Sequence, residues 1–268
     1  MIRSLLSFAC HAYGLAAVVY LVHLVRQHPW LAIAGRVSVA VGLMLHGAAL
    51  VVQVGHQGGM PVGMGQGLSL LTFLLLAMLL VVDFVWRRPV IGAFVTPAAV
   101  AAMVPALVGP ASGGQILSES LRAPLLPLHV SIAILGVATF AMAAGVGVMY
   151  VVMERQVKGK HFGLLFSRLP PLQVMDEINR WLVILGFIAL SVTFATGAFF
   201  ASPEPTWTWD PKRVATLVGW HLFAALLAAR LFAGWRGKRV AYVTVAGFCV
   251  LLVSFLSAYD FGSAALGQ

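Results

Sequence analysis

Residues 68–107 read LSLLTFLLLAMLLVVDFVWRRPVIGAFVTPAAVAAMVPAL. Two apolar runs, 68–85 and 90–107, are separated only by the four residues WRRP at 86–89. At 1.5 Å per residue each run is long enough to cross the hydrocarbon core of a bilayer. Apolar and polar residues do not alternate along them, so they are not strands of a membrane barrel. In lipid the backbone must satisfy its own hydrogen bonds, and an unpaired segment does that only as a helix. So short a link predicts two helices folded back on each other, with charge at the turn and Pro89 as the break.

Six further runs of the same kind surround this pair, at 4–24, 37–54, 127–152, 181–200, 214–232 and 240–255. The chain of 268 residues is 61% hydrophobic and only 9% charged, with mean hydropathy +0.97. Soluble domains carry about 25% charged residues. The expected fold class is therefore all-α: a polytopic membrane protein of eight transmembrane helices, a single domain over 1–268. Arg3 precedes the first run and no small-residue cleavage site follows it, so that run reads as a retained span rather than a signal peptide.

The net charge of +9 is spread through the segments between spans rather than along one face, which excludes a nucleic-acid surface. Thirteen basic residues fall on one side: Arg26, Arg36, Arg87, Arg88, Arg155, Lys158, Lys160, Arg168, Arg180, Arg230, Arg236, Lys238 and Arg239. Four fall on the other: Arg3, Arg122, Lys212 and Arg213. The positive-inside rule then places both termini outside, with the loops 55–67 and 109–126. The inner segment 154–180 reads as a solvated connector. Residues 118–125, with leucines at 117, 121 and 125, suggest a short interfacial helix. Cys10 and Cys249 stand alone in apolar runs and read as small buried side chains; with no CxxCH the chain is not itself a c-type cytochrome.

Between the sixth and seventh runs lies TWTWDPK at 206–212. Trp207 and Trp209 form an aromatic shelf at the outer surface, where an apolar ring with one polar N–H is favoured. Asp210 before Pro211 fits an N-cap followed by proline at the first helical position. Eight histidines divide by depth. His23, His28 and His161 lie at the inner surface and read as solvated; His56 sits in a glycine-rich outer loop. His11, His46, His129 and His221 lie within or at the edge of spans, where ionisable groups mark function. Helical rise puts His46 about 12 Å below the outer surface, His221 and His11 about 10 Å, and His129 about 3 Å. Two neutral imidazoles at matched depth suit the axial positions of an iron porphyrin, which wants apolar and aromatic walls. A zinc site would ask for four ligands, hard to supply here.

These residues resemble the CcsA/HemX/CcmC-type family of cytochrome c assembly membrane proteins, the haem-handling group with the tryptophan-rich WWD motif. TWTWDPK resembles the family's WSWDPKE, and GWRGKR at 234–239 the basic turn one span later. LMLHGAAL at 43–50 resembles the intramembrane histidine helix, and LPLHVSIAILG at 126–136 the helix whose outer histidine faces the shelf. In length and eight-helix layout the chain is most similar to the short HemX-like branch. The resemblance implies His46 as first member of an intramembrane haem pair and His129 as first of an outer pair. The second intramembrane histidine of the family falls at Ala228, with His221 two turns earlier on roughly the same face; the second outer one has no counterpart in SAYDFGS at 257–263. Arg213 replaces the acid after the lysine.

The expected function is a haem-binding integral membrane protein that carries, presents or regulates haem for cytochrome c maturation or haem biosynthesis. The cofactor is non-covalent b-type haem, bound by His46, His129 and His221 as metal ligands with Trp207, Trp209 and Asp210 in the shelf. The resemblance implies the bacterial cytoplasmic membrane, with a partner assembly protein or apocytochrome c as candidate partners besides lipid. No large outer domain is present to hold an apocytochrome, so covalent attachment calls for such a partner and the chain is not read as an enzyme on its own. The alternatives are a proton-coupled transporter relaying through its histidines, or a structural subunit that uses them to pack helices. Against the transporter stands the lack of an acidic residue at mid-depth.

Overall fold

The computed structural model describes residues 1–57, 63–108, 126–160, 163–197 and 211–257. They form nine helices: α1 (Ile2–Arg26), α2 (Pro29–Gln57), α3 (Met64–Trp86), α4 (Val90–Val108), α5 (Leu126–Lys158), α6 (Leu164–Arg168), α7 (Leu172–Gly197), α8 (Pro211–Phe232) and α9 (Lys238–Ser257). Eight of them are long and apolar enough to cross a membrane, and α6 is a single short turn between spans. All eight predicted spans are present, most of them a turn or two longer than their apolar cores. The segment 118–125 and the shelf at 206–210 lie outside the described residues.

The turns follow from local chemistry. α1 ends where Gln27 adopts a left-handed backbone, φ 49°, and returns its N–H to the His23 carbonyl at 2.9 Å. Pro29 then opens α2 as its first residue, where its missing N–H costs nothing. α3 stops the same way: Arg87 has φ 52° and donates to the Asp83 carbonyl at 2.8 Å, after which Pro89 cannot extend the helix. The predicted tight pair is realised as α3 packed on α4. α4 carries Pro97 and Pro105 in its interior, a tolerance common to membrane helices.

α5, about 50 Å long, runs through the middle of the molecule. On one side it meets α3, within a group in which α1 packs on α2 and α4. On the other it meets α7 and α9, with α8 laid on α9. Phe140 of α5 stacks on Phe223 of α8 with centroids 3.7 Å apart, in the centre of the second group. In the first group α1 is keyed into its neighbours by two tyrosines. The Tyr13 ring lies on Gly42, and Tyr20 lies between Gly35 and Gly92, so close that a methyl group at any of the three would collide with a ring. Both tyrosines are fully buried.

Several expectations need correction. Arg36 and Arg230 are not loop residues. Arg36 lies two turns into α2 and grips Asp83 of α3 with two hydrogen bonds, Nε to Oδ2 at 2.7 Å and Nη2 to Oδ1 at 3.1 Å. Arg230 lies in α8 and pairs with Asp176. A charge inside a span is held by an opposite charge because it has left water behind, and apolar windows do not register such pairs. The connector 154–180 is not simply solvated, since α5 runs on to Lys158 and α7 begins at Leu172. His56 lies on the last turn of α2 rather than in a loop. His23 is buried, and its Nδ1 donates to the His28 carbonyl at 3.2 Å across the α1–α2 turn. Cys10 is half-buried, but Cys249 faces outward; both are free thiols.

Candidate functional site

The histidines of the spans occupy four different settings. His11 faces outward from α1, with Nδ1 donating to the Ser7 carbonyl one turn back at 2.7 Å. His46 is fully buried where α1, α2 and α3 meet. Its Nδ1 lies 3.3 Å from the Tyr13 hydroxyl and its Nε2 2.7 Å from Oγ of Ser69. Phe73 of α3 presents its ring edge-on, centroids 5.5 Å apart and planes at 79°. A neutral imidazole has one N–H and one lone pair, so one hydroxyl accepts and the other donates. Both nitrogens are satisfied.

His129 sits on the first turn of α5, half-buried against the end of α7. Oγ1 of Thr196 already donates its hydrogen to the Val192 carbonyl at 2.8 Å. Its oxygen can therefore only accept, and at 2.7 Å it accepts from Nδ1–H of His129. This bond selects the tautomer. The Nε2 atom carries the lone pair, which is the form of histidine that coordinates a metal, with the other nitrogen anchored by a hydrogen bond. Cε1 of the ring approaches Gly197, the last residue of α7, so the chain enters the stretch that contains TWTWDPK directly beside this imidazole.

His221 lies on α8 and faces outward, on the stripe that also exposes Val214, Val218 and Ala228. Its Nδ1 donates to the Leu217 carbonyl at 2.8 Å, which again leaves the lone pair on Nε2. Its neighbour Trp220 turns the other way, donates Nε1–H to Ser191 at 3.0 Å and lies beside Phe187 and Phe194, fastening α8 to α7.

The expected intramembrane pair is not brought together. His46 belongs to the α1–α2–α3 group and His221 to the face of α8 turned away from its packing partners α9 and α7; no ring contact or hydrogen bond links them. Trp207, Trp209 and Asp210 lie outside the described residues, while α8 does begin at Pro211 as its sequence predicts. Sequence reasoning missed the side chains that hold each imidazole: Tyr13, Ser69 and Phe73 for His46, and Thr196 for His129. Residues 33, 23 and 67 positions away carry no spacing signal, and only the packed helices reveal them.

Among the described residues no three His, Cys, Asp or Glu side chains converge on a point that would hold a metal ion. A porphyrin brings four equatorial nitrogens of its own and asks the protein for one or two axial imidazoles, which is the donor set present here. His129 offers one such imidazole, half-buried at the start of α5; His46 is fully buried with both ring nitrogens hydrogen-bonded.

The family described as cytochrome C assembly protein matches residues 4–259. Cytochrome c biogenesis protein CcsA of Synechococcus sp. (strain CC9902) is 27% identical over 248 aligned positions, covering 82% of this chain and 82% of the relative. The CcsA protein of Prochlorococcus marinus (strain NATL1A) is 27% identical over 287 aligned positions, 91% of this chain and 89% of the relative. That of Synechococcus sp. (strain JA-3-3Ab) reaches 38% over a shorter stretch of 96, covering 35% and 28%. With nearly the whole chain matched, and with the eight spans that the motifs imply, this protein belongs to the cytochrome c assembly family.

Proposed function

We propose that this chain is a haem-binding protein of the cytoplasmic membrane that holds b-type haem non-covalently and presents it for cytochrome c maturation. The observation that carries the reading is the His129–Thr196 hydrogen bond, which leaves the imidazole lone pair on Nε2 where α5 begins and α7 ends. Family membership supports it. His129 is the axial ligand at the outer surface, with Trp207 and Trp209 as an aromatic wall and Asp210 holding the shelf. His46 is the intramembrane ligand, and His221, open on its own face, is a candidate ligand for a second haem or a transient station. The haem supplies the group that a maturing apocytochrome receives; the chain binds it, orients it through His129 and delivers it to a partner that holds the apocytochrome. In this reading both termini face outward and the end bearing Arg87, Arg168, Arg236 and Arg239 faces the cytoplasm.

The test is the visible spectrum of the detergent-purified protein, oxidised and reduced, for wild type and for His46→Ala, His129→Ala and His221→Ala. Sharp reduced bands are expected in wild type, with the larger loss in His129→Ala. Protein that stays haem-free even from haem-supplemented cells sinks the reading.

A further inference from the structure

Two polar clasps fasten α2 to α3. His46 meets Ser69 at 2.7 Å, and Arg36 meets Asp83 through two hydrogen bonds on the arginine-rich side of the membrane. The direct packing of these helices is otherwise sparse, far less than that of α1 on α2 or of α3 on α4. On the lipid-facing side of the seam they leave a groove of about 1000 Å³. Val37 and Ala40 of α2 and Leu80, Val81 and Phe84 of α3 form its walls, with Phe84 85% exposed. Arg36, Asp83 and Arg87 form its polar end. The two arginines play different parts there. Asp83 takes Nε and Nη2 of Arg36, which fixes the guanidinium plane and leaves Nη1 uncommitted, while the side chain stays 40% exposed. The Asp83 carboxylate is almost wholly covered, so an incoming group meets the guanidinium instead. Arg87 follows one turn later, exposed, and its side chain makes no hydrogen bond or ion pair among the described residues.

We propose that this groove is a binding site for an anionic phospholipid of the leaflet on the arginine-rich side. Its phosphate is held by Nη1 of Arg36 and by Arg87, and an acyl chain lies along Val37, Ala40, Leu80 and Val81. The guanidinium fork matches phosphate oxygens, and Asp83 has already fixed one of the two forks in place. Arg36 and Asp83 cancel in charge, so Arg87 leaves the site at +1. That surplus selects an anionic headgroup over a zwitterionic one, whose own ammonium would meet Arg87. The lining contains no histidine, cysteine or methionine, so it offers a metal or a haem iron no nitrogen or sulfur ligand. The lipid is a third clasp: it fills a seam that the side chains of α2 and α3 leave open.

The experiment is native mass spectrometry of the full-length protein, titrated in detergent with dioleoyl phosphatidylglycerol or dioleoyl phosphatidylcholine, which share their chains and differ in headgroup charge. Wild type is expected to retain the first phosphatidylglycerol in preference to phosphatidylcholine. Arg87→Gln should weaken that first binding roughly fivefold, the worth of one guanidinium beside an anionic lipid, and leave phosphatidylcholine unchanged. Arg36→Gln made together with Asp83→Asn strands no carboxylate and should cost a similar factor. Ala40→Phe fills the groove without altering charge and should weaken both lipids. Arg239→Gln removes an exposed arginine from the start of α9, outside the groove, and should change nothing. Equal retention of the two lipids by wild type, or unaltered selectivity in Arg87→Gln, overturns the site. So does a loss in Arg239→Gln as large as in Arg87→Gln, which would reduce the effect to the general charge of that membrane face. Undiminished binding in Ala40→Phe removes the chain from the groove, and displacement of the lipid by an equal concentration of inorganic phosphate shows an anion site and not a lipid site; either result overturns the assignment.

Discussion

Arg230 of α8 closes on Asp176 of α7, Nη2 to Oδ1 at 2.9 Å, with its own side chain only 6% exposed. The pair is the centre of a wider set. Arg230 also donates to Oδ1 of Asn179 at 3.2 Å and to the Asp176 carbonyl at 3.1 Å. Asn179 in turn donates to the Ala143 carbonyl of α5 at 3.0 Å. The same carboxylate oxygen is also reached by the turn after α8: Gly237 N–H donates to Oδ1 of Asp176 at 3.2 Å. GWRGKR is thus explained in part as architecture. Gly237 has φ +74°, a conformation that favours glycine, and it lets the turn fold its N–H onto α7.

This network predicts an asymmetric response to mutation. Arg230→Ala strands a carboxylate and a buried amide and should lower stability by about 3 kcal/mol, whereas Arg230→Met with Asp176→Leu should cost much less. Thermal unfolding of the single and double variants in detergent measures both, and equal losses would contradict the prediction.

Gly237→Ala should be destabilising by about 1–3 kcal/mol. The positive φ is unfavourable for alanine, and the added carbon would stand 2.8 Å from the Tyr150 hydroxyl. Proteolysis at the α8–α9 turn, compared between wild type and variant, is the sensitive readout.

At the outer end, Thr196→Val removes the acceptor that selects the His129 tautomer while preserving shape. Haem affinity at that site should fall about 10- to 100-fold, as for other lost supports of a ligating histidine. Thr196→Ser keeps the hydroxyl and should behave like wild type in the same titration.

Orientation is open to direct labelling. In a variant lacking Cys10 and Cys249, a cysteine at Lys160 should be shielded from an impermeant maleimide in intact cells, and one at Lys212 should react. The reverse pattern would invert the topology that the basic residues imply.

Much of the fold was legible because lipid leaves few options. Runs such as 68–85 and 90–107 could only be helices, and the WRRP link could only return the chain on itself. What stayed hidden were groups whose meaning is a partner. Arg36 looked like the tail of a loop because a charge reads as the end of an apolar run, yet it lies within α2, half-exposed itself, and is matched to Asp83, which is 1% exposed. The histidines could be ranked by depth but not by direction. Helical rise gives His46 and His221 similar heights, but His46 points into the bundle and His221 out of it, and depth arithmetic has no term for rotation about a helix axis. Thr196 had no sequence signal at all; its role depends on a hydrogen that the Val192 carbonyl has already taken.

The tyrosines of α1 have one last implication. Tyr13 meets Gly42 and Tyr20 meets Gly35, so each pair of numbers sums to the same value, as an antiparallel register requires. α1 is a key with two teeth seven residues apart, cut for two notches seven residues apart on α2. A first helix inserted one turn too high or too low fits neither notch, and its Tyr13 oxygen misses His46. The histidine is therefore furnished with its partner only in a chain whose opening span has been set at the right height, which makes the His46–Tyr13 contact a report on the correct threading of the first helix into the membrane.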